Sequence, residues 1–391
     1  LTINVPFNKP YLTGNELSYI EKAVKMGKIS GNGYFTKKCQ QFFEENFGFN
    51  KCLLTSSCTD ALEMAAILLD IKSGDEVIVP SYTFVSSANA FVLRGAKIVF
   101  LDSLEDHPGM DVDKIESLIS PKTKAIVVVH YAGVPVDMAK VMDLANRFSI
   151  KVVEDAAQAI DISFQGKALG GVGHLGTFSF HETKNLQCGE GGMLTINDPG
   201  LKKRAEIIWE KGTDRAAFFR GEVNKYGWVD LGSSFLPSEV TAAFLWAQLE
   251  NLQRIQSRRS QIWHDYSGFL ASLDRSYIPK IQHLPYLELL RNELDKIQEE
   301  FSPIVLQKDP GNYHMFYMLF PSLESRTKFS ESLKSKGILS VFHYQALHQS
   351  EFIKAYQGID NTPLPNAEIF ADTLLRLPFF YELPEVSSSC I

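Results

Sequence analysis

Between residues 51 and 197, short apolar runs alternate with stretches of helical periodicity. The runs are CLLT (52–55), EVIVP (76–80), KIVFLD (97–102), AIVVVH (125–130), KVVED (151–155), TFSF (177–180) and GMLTIN (192–197). Most are apolar at successive rather than alternate positions, which suits strands covered on both faces. Helices are predicted at 59–69, at 86–94, where Gly95 stops the run, and at 137–148. This rhythm predicts an α/β fold: a mostly parallel, seven-stranded sheet with flanking helices and right-handed crossovers. Such sheets place their chemistry beyond the carboxyl ends of the strands.

From residue 238 to about 273 the pattern turns long and helical, and is read as one helix bridging two domains. The remainder mixes short strands, HMFYMLF (314–320) and SVFHY (340–344), with a helix at 328–336. The expected division is a large domain over 1–250 and a smaller C-terminal α+β domain over 251–391. A length of 391 residues suits two or three domains, and 45% hydrophobic against 22% charged residues supplies a large core. The net charge of −7 argues against a nucleic-acid partner, which needs a basic face. Five cysteines without a CxxC pair read as reduced thiols. No apolar run approaches the roughly 18 residues of a membrane span. LTINVPFNKPYL has no basic start followed by an apolar core, so the expectation is a cytoplasmic protein.

Asp155 ends the run KVVED, Lys184 follows a second strand in SFHETKNLQCGEGG, and SSCTDAL (56–62) is a small-polar turn between a strand and a helix. Taken singly, each has an ordinary reading: a turn acid, a solvated lysine, a capping turn. Together they describe one cofactor. Pyridoxal 5′-phosphate (PLP) needs an amine for covalent attachment, a carboxylate to keep its ring nitrogen protonated, a phosphate cradle and a flat apolar group against the ring. A helix N-terminus with free N–H groups suits the phosphate. All these parts fall at predicted carboxyl ends of strands in one sheet, so they can converge.

The same residues carry a family resemblance. TSSCTDALEMAA, VPSYTFVSSANAF, VVEDAAQAI, GTFSFHETKN followed by GEGG, and VFHYQALH resemble the DegT/DnrJ-type, fold-type-I sugar aminotransferases over nearly the whole chain. The resemblance implies that Lys184 holds PLP covalently and serves as catalytic acid–base, with Asp155 on the pyridinium nitrogen. It implies that Gln158 hydrogen-bonds the phenolic oxygen, that Phe84 stacks on the ring, and that Cys58, Thr59 and Ser179 bind the phosphate. Family members commonly carry a GxNxR stretch that reaches the neighbouring subunit's phosphate. Here GSSFL puts Ser234 and Leu236 at those places, and Ser234 stands in for the asparagine. A homodimer with sites at the interface is implied, with residues around 213–236 reaching the partner.

EKGTDR, FFRGEV, HETKN and LWAQLE resemble one branch, which moves nitrogen from glutamate to C4 of a dTDP-linked 4-keto-6-deoxy sugar. The resemblance thus implies a nucleotide-sugar substrate and an L-glutamate donor. Amination at C3, or formation of the gluco epimer, stays open. GVGHLG (171–176) formally fits the dinucleotide pattern GxGxxG, but it leads into a strand instead of following one, so a nicotinamide site is not expected. The nine histidines show no metal-binding spacing, and no metal is expected. His181, His343 and His348 are read as wall or structural residues. Lys211, Arg215 and Arg220 are candidates for contact with a diphosphate.

Overall fold

The computed structural model describes residues 4–271, 286–300, 305–358 and 362–383. Twelve strands occur among them: β1 (Cys52–Thr55), β2 (Glu76–Pro80), β3 (Lys97–Leu101), β4 (Thr123–Val129), β5 (Lys151–Asp155), β6 (Ser163–Phe164), β7 (Lys167–Ala168), β8 (Leu175–Ser179), β9 (Gly192–Ile196), β10 (Val305–Leu306), β11 (Tyr317–Leu319) and β12 (Leu374–Arg376). Seven form the central sheet, in the order β1-β9-β8-β5-β4-β2-β3. Pairing is parallel from β3 through β8, and β9 runs antiparallel to both β8 and β1. The mostly parallel, seven-stranded sheet expected from the apolar runs is therefore present.

Its burial explains why those runs lack alternation. Val77, Val79, Ala125, Val127 and Val153 enter one core cluster, while Ile78, Ile126, Val128 and Val152 enter another on the opposite face. Successive side chains of a strand point to opposite faces, so both sets must be apolar when helices cover both. The helix Cys58–Leu68 starts where Ser57 Oγ accepts the Asp60 N–H, and the helix Met138–Phe148 starts on the same device at Asp137.

Registers align the strand ends that matter. Val129 pairs with Asp155, Asp155 with Thr177, and Gly192 with both Thr55 and Ser179. The ends of β1, β4, β5 and β8 thus face one region.

The C-terminal part holds a three-stranded antiparallel sheet, β10-β11-β12, on a separate core of Trp263, Tyr266, Leu290, Phe316, Phe329 and Leu375. Val5 joins that core from the N-terminus. The long helix expected over 238–273 is two helices, Glu239–Leu249 and Leu252–Ala271. The break has a local cause. The Asn251 side-chain amide donates to the Ala247 carbonyl, the acceptor its own backbone N–H would use in a continuous helix, and that N–H turns to Gln248 instead. The strand expected at 340–344 is a single bridge, Val341 to Arg376, and only Tyr317–Leu319 of the run at 314–320 is strand. Part of the stretch at 275–312 lies outside the described residues.

Candidate active site

The strand ends open on a cavity of about 490 Å³. Lys184 and Asp155 both line it, together with Cys58, Thr59, Phe84, Gln158 and Ser179. Seven of the eight residues singled out in the sequence therefore share one cavity. Ser234 does not. It is exposed, bridged to Glu210, on the segment that follows a surface loop.

Asp155 is buried, and both its oxygens are held. Ser87 Oγ donates to Oδ2 at 2.7 Å and the Ala157 N–H to Oδ1 at 3.2 Å. The strand end beneath it is anchored by the preceding residue. Glu154 is fully buried and turns away from the cavity into a ring of donors. The Val172 and Gly173 N–H groups reach Oε1 at 2.7 and 2.5 Å, the Gly170 N–H reaches Oε2 at 2.9 Å, and His130 Nε2 lies 3.0 Å from Oε2. The Val136 N–H donates to His130 Nδ1, so the ring carries its proton on Nε2 and donates it to Glu154. The glycine-rich segment that mimics a dinucleotide motif is thus a nest for a carboxylate.

Lys184 sits in the loop between β8 and β9, closed by Phe180 N–H to Gly191 O and Cys188 N–H to Phe180 O. Burial pushes its ammonium below the ordinary lysine range; Cys58 and Asp155 counteract part of that shift, and Arg376 adds to it. The free amine, the form that accepts a proton, is correspondingly favoured. Burial pushes the Cys58 thiol up, and the Asp155 charge adds to it, so it remains a thiol.

Cys58 and Thr59 open the helix Cys58–Leu68, and Thr59 Oγ1 lies 2.8 Å from Ser86 Oγ. The turn before them is tight. A Cβ on Gly192 would stand 2.4 Å from Cys58 N and 2.3 Å from Ser57 C, so only glycine lets β9 approach this backbone. Gln158 accepts the Ala132 N–H on Oε1 at 2.6 Å, which fixes the amide and leaves its NH₂ as the cavity-side donor, 2.9 Å from the Tyr344 hydroxyl. Phe84 is 53% exposed and is not a core residue; its ring lies across from Tyr344.

His181 and His343 line the cavity, whereas His348 is structural, bridging Ser81 Oγ at 2.7 Å and Glu368 at 3.1 Å. Arg215 and Arg220 line a different groove, where Arg220 pairs with Glu206 and Glu222. The cavity residues that were not read from the sequence as site candidates include His314, Tyr344 and Arg376. His314 Nδ1 meets Asn185 Oδ1 at 2.8 Å, and the Asn185 NH₂ is committed to Gln256 and Asn312 carbonyl oxygens. The imidazole proton therefore lies on Nδ1, and burial with nearby cations keeps the ring neutral. Tyr344 lies within a motif quoted above, VFHYQALH. For His314 and Arg376 no local pattern signals the site, because they reach it from far along the chain, Arg376 on β12 and His314 in the segment before β11.

The chain belongs to the DegT/DnrJ/EryC1/StrS aminotransferase family, whose model matches residues 10–286 and 282–388. It is a PLP-dependent aminotransferase. Among solved structures it is similar to the aminotransferase TlmJ from Streptoalloteichus hindustanus, with 27% identity, 99% of this chain and 97% of that one covered, and a TM-score of 0.82. It is also similar to DesV from S. venezuelae, with 27% identity, coverage of 100% and 97%, and a TM-score of 0.80. Spr1654 of Streptococcus pneumoniae, solved in its PLP form, shares the fold at 24% identity, with coverage of 99% and 100% and a TM-score of 0.78. Among the described residues no helix is long and apolar enough to cross a membrane.

Proposed function

We propose that this aminotransferase moves the amino group of L-glutamate to C4 of dTDP-4-keto-6-deoxyglucose, giving dTDP-4-amino-4,6-dideoxygalactose. The single observation that carries the chemistry is that Lys184 and Asp155 line one cavity. The substrate rests on the branch signatures HETKN, EKGTDR, FFRGEV and LWAQLE and on Ser234 in GSSFL.

The residues suit PLP. The buried carboxylate of Asp155, already oriented by Ser87, would face the ring nitrogen and hold its proton by charge and hydrogen bond. The helix start at Cys58 and Thr59, with Ser179 nearby, would take the phosphate. Gln158 would donate to the phenolic oxygen, and Phe84 would cover a ring face. When bound, PLP carries the amino group and withdraws electron density from the carbon being deprotonated. Lys184 would hold the resting cofactor and, as a free amine, would accept the proton from the donor's α-carbon and later deliver one to the sugar carbon. Its depressed basicity favours the free amine that accepts the proton.

A homodimer fits the exposed apolar surface at 218–231, where Phe219 is 70% and Trp228 82% exposed. Ser234 lies just beyond this stretch, and in a dimer it would contact the partner's phosphate. The large unit at 1–250 and the small one at 251–391 remain our division of the chain, with the protein working in the cytoplasm.

The test is incubation of the PLP-loaded protein with glutamate and dTDP-4-keto-6-deoxyglucose, followed by NMR of the product. An axial amine at C4 is expected. An equatorial amine, or nitrogen at C3, would replace the stated product by the gluco epimer or a 3-amino sugar. Borohydride should fix the cofactor on Lys184; labelling of another lysine would remove the basis of the mechanism.

A further inference from the structure

His314 stands in the segment before β11 and reaches the cavity that Lys184 also lines. Its ring is fixed from behind. Nδ1 donates to Asn185 Oδ1 at 2.8 Å, and Asn185 is the residue that follows Lys184. The Asn185 NH₂ is committed to Gln256 Oε1 and the Asn312 carbonyl, both at 2.8 Å, so the amide cannot turn over to face the ring with a donor. Asn312 is itself pinned: its NH₂ donates to the Gln158 carbonyl at 2.5 Å, and its Oδ1 accepts the His314 N–H at 3.2 Å. The network joins the helix Leu252–Ala271, the loop of Lys184, the turn after β5 and the segment before β11. Asn185, Asn312 and His314 are all buried. A buried polar network stabilises only when its groups are satisfied. Nδ1 is the satisfied end of the ring, and Nε2, with a lone pair and no proton, is left for the cavity.

A lone pair there has a donor to meet. When Lys184 takes a proton it becomes a buried ammonium, which has N–H donors and no acceptor. Cys58, Asp155 and Arg376 are the groups whose charge acts on it. Cys58 remains a thiol and accepts weakly, and Arg376 has donors only. The free capacity of Asp155 goes to the cofactor's ring nitrogen. His314 offers what these lack, a neutral acceptor. It also stays one, because burial first and the Lys184 charge next hold the ring well below the ordinary histidine value.

We propose that His314 Nε2 accepts a hydrogen bond from the Lys184 ammonium and so positions the lysine for its proton transfers. His314 is a positioning residue, acting through Lys184 and not on the reacting carbon. The proton taken from the donor stays on Lys184, and His314 is neutral throughout. This rests on the role given to Lys184 under the proposed function and supplies a partner for it.

The test compares His314→Phe, which keeps a flat ring and removes both nitrogens, with His314→Gln. Glutamine can reproduce both contacts, its NH₂ toward Asn185 Oδ1 and its Oε1 toward Lys184. In the aminated enzyme Lys184 is free, and its titration is read by mass spectrometry from the pH dependence of dinitrophenylation of its peptide. For His314→Phe we expect Lys184 to titrate about one pH unit or more below wild type, a roughly tenfold loss of basicity, as for a lost hydrogen bond to a charged group. His314→Gln should stay within about half a unit of wild type. With saturating glutamate, loss of the yellow absorbance should slow about tenfold in His314→Phe and recover most of its rate in His314→Gln. An unchanged or raised Lys184 titration in His314→Phe would overturn the proposal, as would an unchanged rate. A shift as large in His314→Gln as in His314→Phe would also overturn it, making His314 a packing residue. Should His314→Phe not fold, wild-type enzyme carrying ¹⁵N-histidine decides. A bare Nε2 whose signal moves as Lys184 titrates supports the contact, and a protonated Nε2 overturns it. Borohydride labelling of a lysine other than Lys184 would overturn the role of Lys184 and this proposal with it, whereas labelling at Lys184 with unshifted titration in the variants overturns this proposal alone.

Discussion

Glu154→Gln is the sharpest test of how the site is held in place. The substitution is isosteric, so it opens no cavity and adds no bulk; it changes only charge and donor pattern. In the native protein four donors converge on two oxygens: Val172 and Gly173 N–H on Oε1, Gly170 N–H and His130 Nε2 on Oε2. A glutamine must place its NH₂ on one side or the other. On either side two donors then face a donor, and His130 cannot relieve the conflict by moving its proton, because Nδ1 already accepts the Val136 N–H. Each lost hydrogen bond to a charged acceptor counts for about 1.5–3 kcal/mol, so the variant should lose about 3–6 kcal/mol. The assay is urea denaturation of cofactor-free protein, followed by tryptophan fluorescence and referenced to wild type under the same conditions. Because the same strand end carries Asp155, the variant should also bind PLP more weakly. Destabilisation below about 1 kcal/mol would refute the nest as the anchor of this strand end.

Three further outcomes follow from the same geometry. Asp155→Asn keeps the shape and the Ser87 contact but removes the charge, and should slow the donor half-reaction by about a hundredfold or more, read as single-turnover loss of the yellow absorbance; wild-type rates would refute the electrostatic role. Gly192→Ala drives a Cβ into the Ser57–Cys58 backbone, so PLP affinity, measured by equilibrium dialysis, should fall while borohydride still labels Lys184. Acidification should destabilise the protein below about pH 6.5, the ordinary histidine value. Burial depresses His107 to about 4 and pushes His314 and His343 well below 6.5, so the unfolded chain takes up protons that the folded one refuses. That stability is present above 6.5 and is lost as pH falls toward the folded values. For His107 alone, going from pH 7 to 5 costs about 2 kcal/mol, and His107→Gln should flatten the urea midpoint's pH dependence by that amount.

The sheet was legible in the sequence for a physical reason. Strands such as EVIVP and AIVVVH are buried on both faces, and that burial forbids polar residues at alternate positions, leaving runs that cannot be mistaken for amphipathic helix. Lys184, Asp155 and the turn at Ser57 could be grouped from the sequence because one cofactor demands all three kinds of group, and the structure brings them to one cavity. The break at Asn251 was not, since a single side chain competing for Ala247 O overrides a stretch of otherwise good helical periodicity. Arg376 and His314 were invisible for another reason. An arginine in LLRLP carries no sign of its surroundings, and its lack of a partner is a property of four aromatic rings supplied by residues 7, 82, 131 and 344. GVGHLG misleads in the opposite sense: the glycines do bind an anion through backbone N–H groups, but the anion is the chain's own Glu154.

Glu154 and Asp155 together show how little chain is needed to build and brace this site. Adjacent residues on a strand point to opposite faces, so the last two positions of β5 necessarily send one carboxylate into the cavity and one into the body of the protein. Two neighbouring acids there would be an electrostatic fault if both faced the same space. Instead one meets four donors and the other meets Ser87 and the Ala157 N–H, leaving its remaining acceptor capacity for the cavity. A one-residue slip of β5 against β4 would exchange them, sending Glu154 toward the cavity and Asp155 toward the nest. The pairing of Val129 with Asp155 thus decides which acid lines the cavity, and the internal nest is what makes the slip unfavourable.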